Sequence, residues 1–271
     1  MNNPKVVIIT GAAGGIGSAT ARKFAEKGCH LALCDIDEKA ILRLAEVLTD
    51  QYKMECLTLP GDLSDHLYLK SIVDKTVEKW SRVDILVNNA AWRTIESLRT
   101  VEVEIWEKTL KICLTAPAFL TKWVAASMEE NATGGVIVNI TSMMAERPSG
   151  TGAAYIAAKG ALECLIKESA ITYGRSGIRV VGVAPGYIET ELSHDYLDQN
   201  GQNISQRLIK EITDFIPLVR GGSAEEVAEA IFWLSSESAS YVTGTTLVVD
   251  GGFKPNFSKY PIKKQQFPDE F

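Results

Sequence analysis

Short apolar runs alternate along the chain with longer stretches in which apolar residues recur at helical spacing. The runs are continuously apolar, which is typical of parallel strands covered on both faces. They predict strands at 5–10, 30–36, 56–62, 83–90, 135–142, 179–186 and 246–252. The amphipathic stretches predict helices at 15–28, 37–51, 65–81, 102–130, 153–174 and 223–237. Strands that alternate with helices imply βαβ crossovers, so the pattern predicts an α/β fold with a doubly wound parallel sheet.

Two segments interrupt this alternation. Residues 187–215 are polar and follow a Pro-Gly turn at a strand end, where ligands of such sheets bind, so they predict a substrate lid. Residues 253–271 contain Pro and Lys without a clear period, and either disorder or a clamp on a neighbouring subunit is consistent with them. We therefore expect one catalytic domain over 1–252, followed by a C-terminal tail.

Composition excludes several classes of partner. The net charge of the 271 residues is -6, which argues against nucleic acid or an anionic membrane as the main partner. Five widely spaced cysteines indicate reduced thiols in a cytoplasmic protein. The three histidines lack metal-ligand spacing, so no metal is expected. No apolar run approaches the roughly 18 residues that a membrane helix needs, and the first residues do not resemble a signal peptide.

A glycine-rich loop, TGAAGGIG at 10–17, stands between the first predicted strand and the first predicted helix. Gly11, Gly15 and Gly17 lack a Cβ, so the chain there can turn tightly and approach a pyrophosphate closely. The helix that follows offers free N–H groups and the positive end of its dipole. A glycine cluster alone is as typical of a plain turn, but the strand–loop–helix order favours dinucleotide binding.

Asp35 ends the second predicted strand. A carboxylate at that place accepts hydrogen bonds from the hydroxyls of an adenosine ribose and repels a 2′-phosphate. No Arg or Lys stands at Ala13, Gly14 or Ile36 to receive such a phosphate. The sequence therefore favours NAD over NADP, with capping of the helix that begins near Asp37 as the alternative role of Asp35.

Several motifs in order resemble those of the short-chain dehydrogenase/reductase family. They are TGAAGGIG (10–17), GDL (61–63), NNA (88–90), Ser142 with Tyr155 and Lys159, PG (185–186) and VDGG (249–252). The resemblance covers residues 5 to about 252. It implies a single-domain Rossmann-like fold and an NAD-dependent enzyme that interconverts a secondary alcohol and a ketone. It also implies a homodimer or homotetramer in which helices 102–130 and 153–174 pair between subunits.

The family pattern assigns roles to the matching positions. Asp62 would bind the adenine amino group, with Leu63 beside it through the backbone, and the later motifs would line the cleft and face the nicotinamide. The cofactor-binding positions implied are Gly11, Gly15, Ile16, Gly17, Asp35, Asp62, Leu63, Asn88, Ala90, Tyr155, Lys159, Pro185, Gly186, Ile188 and Thr190. Ordinary turn chemistry at strand ends would also account for NNA and PG.

Ser142, Tyr155 and Lys159 are the predicted catalytic residues. Oxidation of an alcohol requires a base for its hydroxyl proton, and a free phenol has a pKa of about 10. Lys159, one helical turn from Tyr155, supplies a positive charge that favours the phenolate. Ser142 would donate to the substrate oxygen. Taken without the other motifs, Tyr155 and Lys159 would be an ordinary surface pair.

Cys113 stands where the family usually carries an Asn, which helps to hold a water that links the Lys to solvent. A Cys preserves this relay if the main-chain carbonyl of residue 113 holds the water, and weakens it if the Asn amide is needed. A nucleophilic role is disfavoured because no His lies nearby in sequence.

Specificity is expected from 92–97, 143–150 and the lid. Apolar walls would come from Trp92, Met143, Met144 and Tyr187, and polar groups from Arg93, Arg147, Glu189 and His194. Either arginine would hold a carboxylate or sugar hydroxyls, or be solvated. A sugar, polyol, hydroxy acid or 3-oxoacyl substrate fits. A non-redox relative, such as a dehydratase or epimerase, and a cofactor-binding regulatory protein without turnover are the alternative functions.

Overall fold

The computed structural model describes residues 3–190, 198 and 200–271. Its strands are β1 (Val6–Thr10), β2 (His30–Asp35), β3 (Cys56–Pro60), β4 (Ile85–Asn88), β5 (Gly135–Ile140), β6 (Ile178–Pro185) and β7 (Thr246–Val249). Its helices are α1 (Gly15–Glu26), α2 (Glu38–Tyr52), α3 (His66–Trp80), α4 (Val103–Leu110), α5 (Ala116–Glu130), α6 (Ala153–Tyr173), α7 (Ser205–Thr213), α8 (Ala224–Leu234) and α9 (Tyr260–Gln266).

The strands of the described chain form one parallel sheet in the order β3-β2-β1-β4-β5-β6-β7. All five residues of β1 are buried because successive side chains enter different layers. Val7 and Ile9 pack in the layer with α1, α2 and α8, whereas Ile8 packs in the layer with α3, α5 and α6. The doubly wound α/β fold predicted from the continuously apolar runs is confirmed.

Strand order reverses between β1 and β4. From β1 the chain first adds β2 and β3 on one side, and it then returns to add β4 to β7 on the other. The loops that leave the carboxyl ends of β1 and β4 therefore diverge and leave a crevice between them, which is where open α/β sheets bind their ligands.

The helix predicted over 102–130 is not continuous. A π-helical turn, Lys111–Thr115, separates α4 from α5, and the Ala116 N–H bonds to the carbonyl five residues earlier at Lys111. Pro117 gives the physical reason, since proline lacks an N–H and its ring collides with the carbonyl four residues before it, that of Cys113. The wider turn accommodates the ring inside an otherwise helical segment.

The two segments outside the alternating pattern each contain a helix. The predicted lid, 187–215, contains α7, while its residues 191–197 and 199 lie outside the described part. The tail contains α9, and the N–H of Tyr260 donates to the carbonyl of Asp214, just after α7, at 2.8 Å. The sequence had not predicted this contact of the tail with its own chain. Of the helices in the described residues, none combines the length and apolar composition needed to cross a membrane.

Candidate active site

The glycine loop after β1 is packed so tightly that two of its glycines have no room for a side chain. Gly11 has a φ of +63°, and a Cβ there would lie 2.8 Å from the Cα of Ala90. A Cβ on Gly17 would lie 2.0 Å from the carbonyl oxygen of Gly11, whereas one on Gly14 would come no closer than 3.6 Å to that atom. The loop therefore needs glycine at positions 11 and 17 for its own shape.

Thr10 and Asn89, which sequence reasoning missed, fasten this loop to the end of β4. Thr10 Oγ1 accepts from the N–H groups of Asn89, at 3.0 Å, and Ala90, at 3.1 Å. Asn89 Nδ2 donates to the carbonyls of Thr10 and Gly11, both at 3.0 Å. Their positions in the motifs could have indicated this role, because Thr10 directly precedes the first glycine and Asn89 is the second Asn of NNA.

The N-terminus of α1 faces the crevice without a side-chain cap. Gly14 occupies the N-cap and has no side chain to accept the first N–H groups, those of Gly15, Ile16 and Gly17. No acidic residue stands in the first turn. This donor set fits a diphosphate, which would accept from the N–H groups and be attracted by the helix dipole.

Asp35 joins the glycine loop to the start of α2. One carboxylate oxygen accepts from the N–H of Ala13 at 3.0 Å, and the other accepts from the N–H of Asp37 at 3.1 Å. The N-cap of α2 is Asp37, whose side chain accepts from the N–H of Ala40 at 3.0 Å. The capping role considered for Asp35 therefore belongs to Asp37. Ile36, beside Asp35, is exposed.

The GDL and NNA turns differ in how their polar side chains are used. Asp62 Oδ1 accepts from the N–H of Ser64 at 2.8 Å, which fixes the turn after β3, and Leu63 is buried. Asn88 is buried, and its Nδ2 donates to Oδ1 of Asn139 on the neighbouring strand at 2.9 Å. Oδ1 of Asn88 has no hydrogen-bond partner among the described residues. Asn139 was not predicted, and its placement opposite Asn88 follows from the β4–β5 register.

Tyr155 and Lys159 lie one turn apart near the start of α6, with Lys159 Nζ 5.5 Å from the centroid of the Tyr155 ring. Lys159 is only 1% exposed, and its Nζ donates to the carbonyl of Ile140, the last residue of β5, at 2.6 Å. No carboxylate of the described residues forms an ion pair with this ammonium. The ammonium therefore lies beside the half-buried Tyr155 ring without a carboxylate counter-ion from the described residues.

Ser142 lies two residues beyond β5, at the strand end that Lys159 contacts. It is 8% exposed, and its Oγ accepts from the N–H of Met144 at 3.2 Å, which positions the hydroxyl. The β5 end and the start of α6 thus bring the three predicted catalytic residues to one place. Glu163, which sequence reasoning did not single out, lies one turn beyond Lys159, and burial followed by the charge of Glu146 raises its pKa.

Cys113 is fully buried in the π turn, where it packs with Ala158 and Tyr155 of α6. Its Sγ donates to the carbonyl of Trp92 and accepts from the N–H of the same residue, both at 3.4 Å. One donor and one acceptor on a short side chain are what an Asn amide would also offer here. The thiol therefore anchors the loop after β4 to the helix that faces Lys159.

The PG and VDGG motifs lie at the carboxyl ends of β6 and β7, where the two chain segments approach each other closely. The Gly186 N–H donates to the Val249 carbonyl at 2.9 Å, and a Cβ on Gly186 would lie 2.6 Å from Cβ of Asp250. Pro185, the last residue of β6, ends the strand beside them. Glycine is thus needed at 186 for this close approach of the chain, which leaves the predicted cofactor contact at Gly186 open.

Ile188 and Thr190 continue from this turn toward the glycine loop. Ile188 forms a parallel β-bridge with Gly222, just before α8. A Cβ on Gly15 would lie 2.9 Å from Cγ2 of Thr190, so Thr190 reaches the first turn of α1. The structure therefore brings the predicted positions after β6 against those after β1, across the crevice.

The residues predicted to determine specificity lie in the loops after β4, β5 and β6. Trp92, anchored by Cys113, carries the Lys108 ammonium 4.5 Å above its ring, and Met143 is buried. Arg93 is exposed. The guanidinium of Arg147, considered above as a substrate ligand, instead contacts the C-terminal tail. His194 lies outside the described residues.

Comparisons with known proteins identify the family. A family model described as enoyl-(acyl carrier protein) reductase matches residues 11–254. The short chain dehydrogenase/reductase astE of Aspergillus oryzae is 34% identical over 249 residues, which cover 92% of this chain and 94% of the relative. A glucose 1-dehydrogenase of Gluconobacter oxydans is 32% identical over 248 residues, covering 92% of this chain and 91% of the relative.

Solved structures give the same result. The crystal structure of L-sorbose reductase from Gluconobacter frateurii, complexed with NADPH and L-sorbose, superposes with a TM-score of 0.88 at 27% identity. The match covers 94% of this chain and 98% of that one. With nearly the whole chain matched by the family model and by relatives above 30% identity, the protein belongs to the short-chain dehydrogenase/reductase family.

Proposed function

We propose that this protein is an NAD(H)-dependent oxidoreductase that interconverts a secondary alcohol and a ketone on a small polar substrate, a sugar, polyol or hydroxy acid. The observation that carries the proposal is the buried Lys159 ammonium, 5.5 Å from the Tyr155 ring and without a carboxylate partner among the described residues. A buried ammonium that is held by one carbonyl and lacks a carboxylate partner adds little stability, so its retention beside a phenol supports a chemical role.

The residues around the crevice fit a nicotinamide dinucleotide. The N–H groups of Gly15, Ile16 and Gly17 would hold the diphosphate, because they lack a side-chain cap and begin a helix. Asp62 and Leu63 would bind the adenine, and the remaining proposed contacts follow the resemblance. These are Gly11, Asn88, Ala90, Pro185, Gly186, Ile188 and Thr190. When bound, the nicotinamide supplies the acceptor or donor of hydride.

Preference for NAD rests on Asp35. Its carboxylate would accept from the ribose hydroxyls and repel a 2′-phosphate, and neither Ala13 nor Ile36 offers a cation to such a group. Each of its oxygens accepts one backbone N–H and retains capacity for a second donor. The L-sorbose reductase structure contains NADPH, so the proposed preference for NAD rests on the local charge at Asp35 and not on the shared fold.

Tyr155 would act as the general acid/base. In oxidation its phenolate accepts the proton of the substrate hydroxyl, and in reduction the phenol returns a proton to the carbonyl oxygen. Ser142 donates a hydrogen bond to the same oxygen and holds it near Tyr155. Lys159 has three N–H donors, of which the Ile140 carbonyl takes one, so the others are available to the cofactor ribose and to water.

Proton transfer to solvent would pass the main chain at Cys113. Pro117 has no N–H to donate to this carbonyl in the α-helical pattern, so the oxygen is suited to accept from a water near Lys159. The thiol meanwhile holds Trp92 by the two contacts that an Asn would make. On this proposal the Cys preserves both functions of the usual Asn.

Association of subunits through α5 and α6 stays a prediction. The exposed side chains of Phe119 on α5 and Ile171 on α6 support it.

A panel of four alcohols tests the proposal: meso-2,3-butanediol, D-glucose, D-sorbitol and 3-hydroxybutyrate, each with NAD and with NADP. We expect NAD reduction with at least one alcohol, followed by absorbance of the reduced nicotinamide. NADH binding without turnover on the whole panel, in the wild type and in Cys113→Asn, would favour the non-redox or regulatory alternative. Turnover only in Cys113→Asn would contradict the relay proposed for Cys113 and leave the alcohol chemistry intact.

A further inference from the structure

We propose that the C-terminal tail, residues 253–271, sets substrate specificity by holding α7 against the loop that carries Ser142, with Arg147 as the residue that joins them. This inference rests on the proposed function, since it assigns the substrate side of the same crevice. Arg147 is then a positioning residue and does not bind the substrate.

Arg147 contacts the tail and the end of α7 at once. Its guanidinium carbon lies 5.0 Å from the ring centroid of Phe253, in the tail, and 5.7 Å from that of Phe215, which follows α7. The two rings are stacked with their centroids 6.1 Å apart. Arg147 Nη1 also donates to the carbonyls of Phe253 and Lys254. A planar cation that both faces aromatic rings and donates to carbonyls is held in one orientation.

A second set of contacts holds the tail on the end of α7. Asn256 Nδ2 donates to the Phe215 carbonyl at 2.6 Å, and Lys263 Nζ donates to Asn256 Oδ1 at 2.7 Å. The Tyr260 N–H donates to the Asp214 carbonyl at 2.8 Å. The tail thus binds the carbonyl of Asp214, which caps α7, and that of Phe215, which follows it, so the end of α7 is held by the tail.

Charge also favours this position of the tail. Lys254 forms an ion pair with Glu146 at 2.5 Å, and its charge also acts on Glu163 of α6. The tail has four Lys and two acidic residues in a chain whose net charge is -6. It thus brings positive charge to two carboxylates that stand near each other on the Ser142 side.

The location of these contacts links them to the substrate. Arg147 lies five residues after Ser142, and α7 lies in the connection that leaves the carboxyl end of β6. Both segments therefore stand at the edge of the sheet where the proposed substrate meets Ser142 and Tyr155. Detachment of the tail would free α7 and widen this side, while Thr10 and Asn89 would still hold the glycine loop.

Hydrogen exchange tests the hold of the tail on α7 without any substrate. The variants are Arg147→Ala and a truncation after Ser258. The matched control is Arg175→Ala, which removes an exposed arginine beyond the far end of α6. We expect the amides of α7 to exchange about tenfold faster in both test variants, with those of α8 unchanged and the control equal to wild type. Unchanged NADH affinity shows that the variants are folded.

Kinetics on the four-alcohol panel test the consequence for specificity. For the alcohol turned over fastest, we expect KM to rise about fivefold or more with kcat nearly unchanged, and preference among the four to weaken. Unchanged exchange of α7 in both variants would overturn the proposal. So would faster exchange with unaltered KM and unaltered preference. If the wild type turned over none of the four alcohols, the proposed function would fail, whereas the exchange result would still report on the tail.

Discussion

The two sides of the crevice are held by different kinds of contact. On the proposed cofactor side, Thr10, Asn89 and Asp35 bind main-chain groups at strand ends and leave the glycine loop little freedom. On the proposed substrate side, Arg147 and Lys254 join segments through aromatic rings, carbonyls and an ion pair. Contacts of the second kind are more exposed and more readily changed by substitution.

This difference indicates how one fold can bind a constant cofactor and accept different substrates. A loop in which Gly11 and Gly17 have no room for a Cβ, and in which Asn89 binds the Thr10 and Gly11 carbonyls, tolerates little variation. On the proposed function this loop would bind the group that stays constant, the cofactor diphosphate. Side-chain contacts between a loop, a helix and a tail tolerate substitution more readily, and on the proposed function they would surround the group that varies, the substrate. Substitutions on the two sides should therefore have different effects, so that turnover, cofactor affinity and stability change independently.

Tyr155→Phe should give the largest effect. Loss of the phenol removes the acid/base without removing the ring, so we expect kcat to fall about a thousandfold while the Kd of NADH changes by less than about threefold. Single-turnover kinetics and NADH fluorescence measure the two quantities. Tyr173→Phe, at the other end of α6, is the control that should behave as wild type. Retention of turnover in Tyr155→Phe would remove Tyr155 from the mechanism.

Gly17→Ala should weaken NADH binding on the proposed cofactor side. Its Cβ would lie 2.0 Å from the Gly11 carbonyl oxygen, so the loop has to shift, and we expect NADH to bind about thirtyfold or more weakly, about 2 kcal/mol. Gly14→Ala is the matched control, because its Cβ would come no closer than 3.6 Å to the same atom. Equal NADH affinity of the two variants, measured by titration calorimetry, would show that the loop does not hold the diphosphate.

Asp35→Ala should alter cofactor choice. Without the carboxylate the ribose hydroxyls lose an acceptor and a 2′-phosphate is no longer repelled, so the ratio of kcat/KM for NAD to that for NADP should fall about tenfold. KM for the alcohol should be unaffected. An unchanged ratio would mean that Asp35 only braces Ala13 and Asp37.

Glu163→Gln should give the smallest effect, on stability. Burial, and then Glu146, raise the pKa of Glu163 above its usual 4.5, so this carboxyl favours the folded state at low pH. That contribution is lost as pH rises through the raised pKa. The variant should therefore have a slightly higher Tm than wild type at pH 7 and the same Tm near pH 4. Glu168→Gln, an exposed change on the same helix, should leave Tm unchanged at both pH values.

The cofactor side was the more predictable from sequence. Strands that are apolar on both faces, and glycines between a strand and a helix, are local signals whose physical meaning does not depend on distant residues. Even so, the hydrogen bonds from Asn89 to the glycine loop were missed, because the motif shows an Asn without showing which carbonyls its side chain reaches. The π turn was missed although Pro117 marks it, since a proline also fits the first turn of a new helix.

The substrate side could not be predicted in the same way. Arg147 and the Phe253 carbonyl that it binds are 106 positions apart, and the sequence around each residue gives no indication of the other as its partner. The tail lacks a periodic pattern, and it is held by two bonds to the end of α7, from Tyr260 of α9 to Asp214 and from Asn256 to Phe215. Such contacts depend on the assembled sheet, which brings the carboxyl ends of β5, β6 and β7 together.

A crystal structure with NADH and a bound ketone or alcohol would measure the central geometry directly. We expect Tyr155 Oη and Ser142 Oγ both to lie within about 3 Å of one substrate oxygen, with the ammonium of Lys159 behind the phenol. A substrate oxygen bonded to other side chains, with the phenol turned toward bulk water, would contradict it.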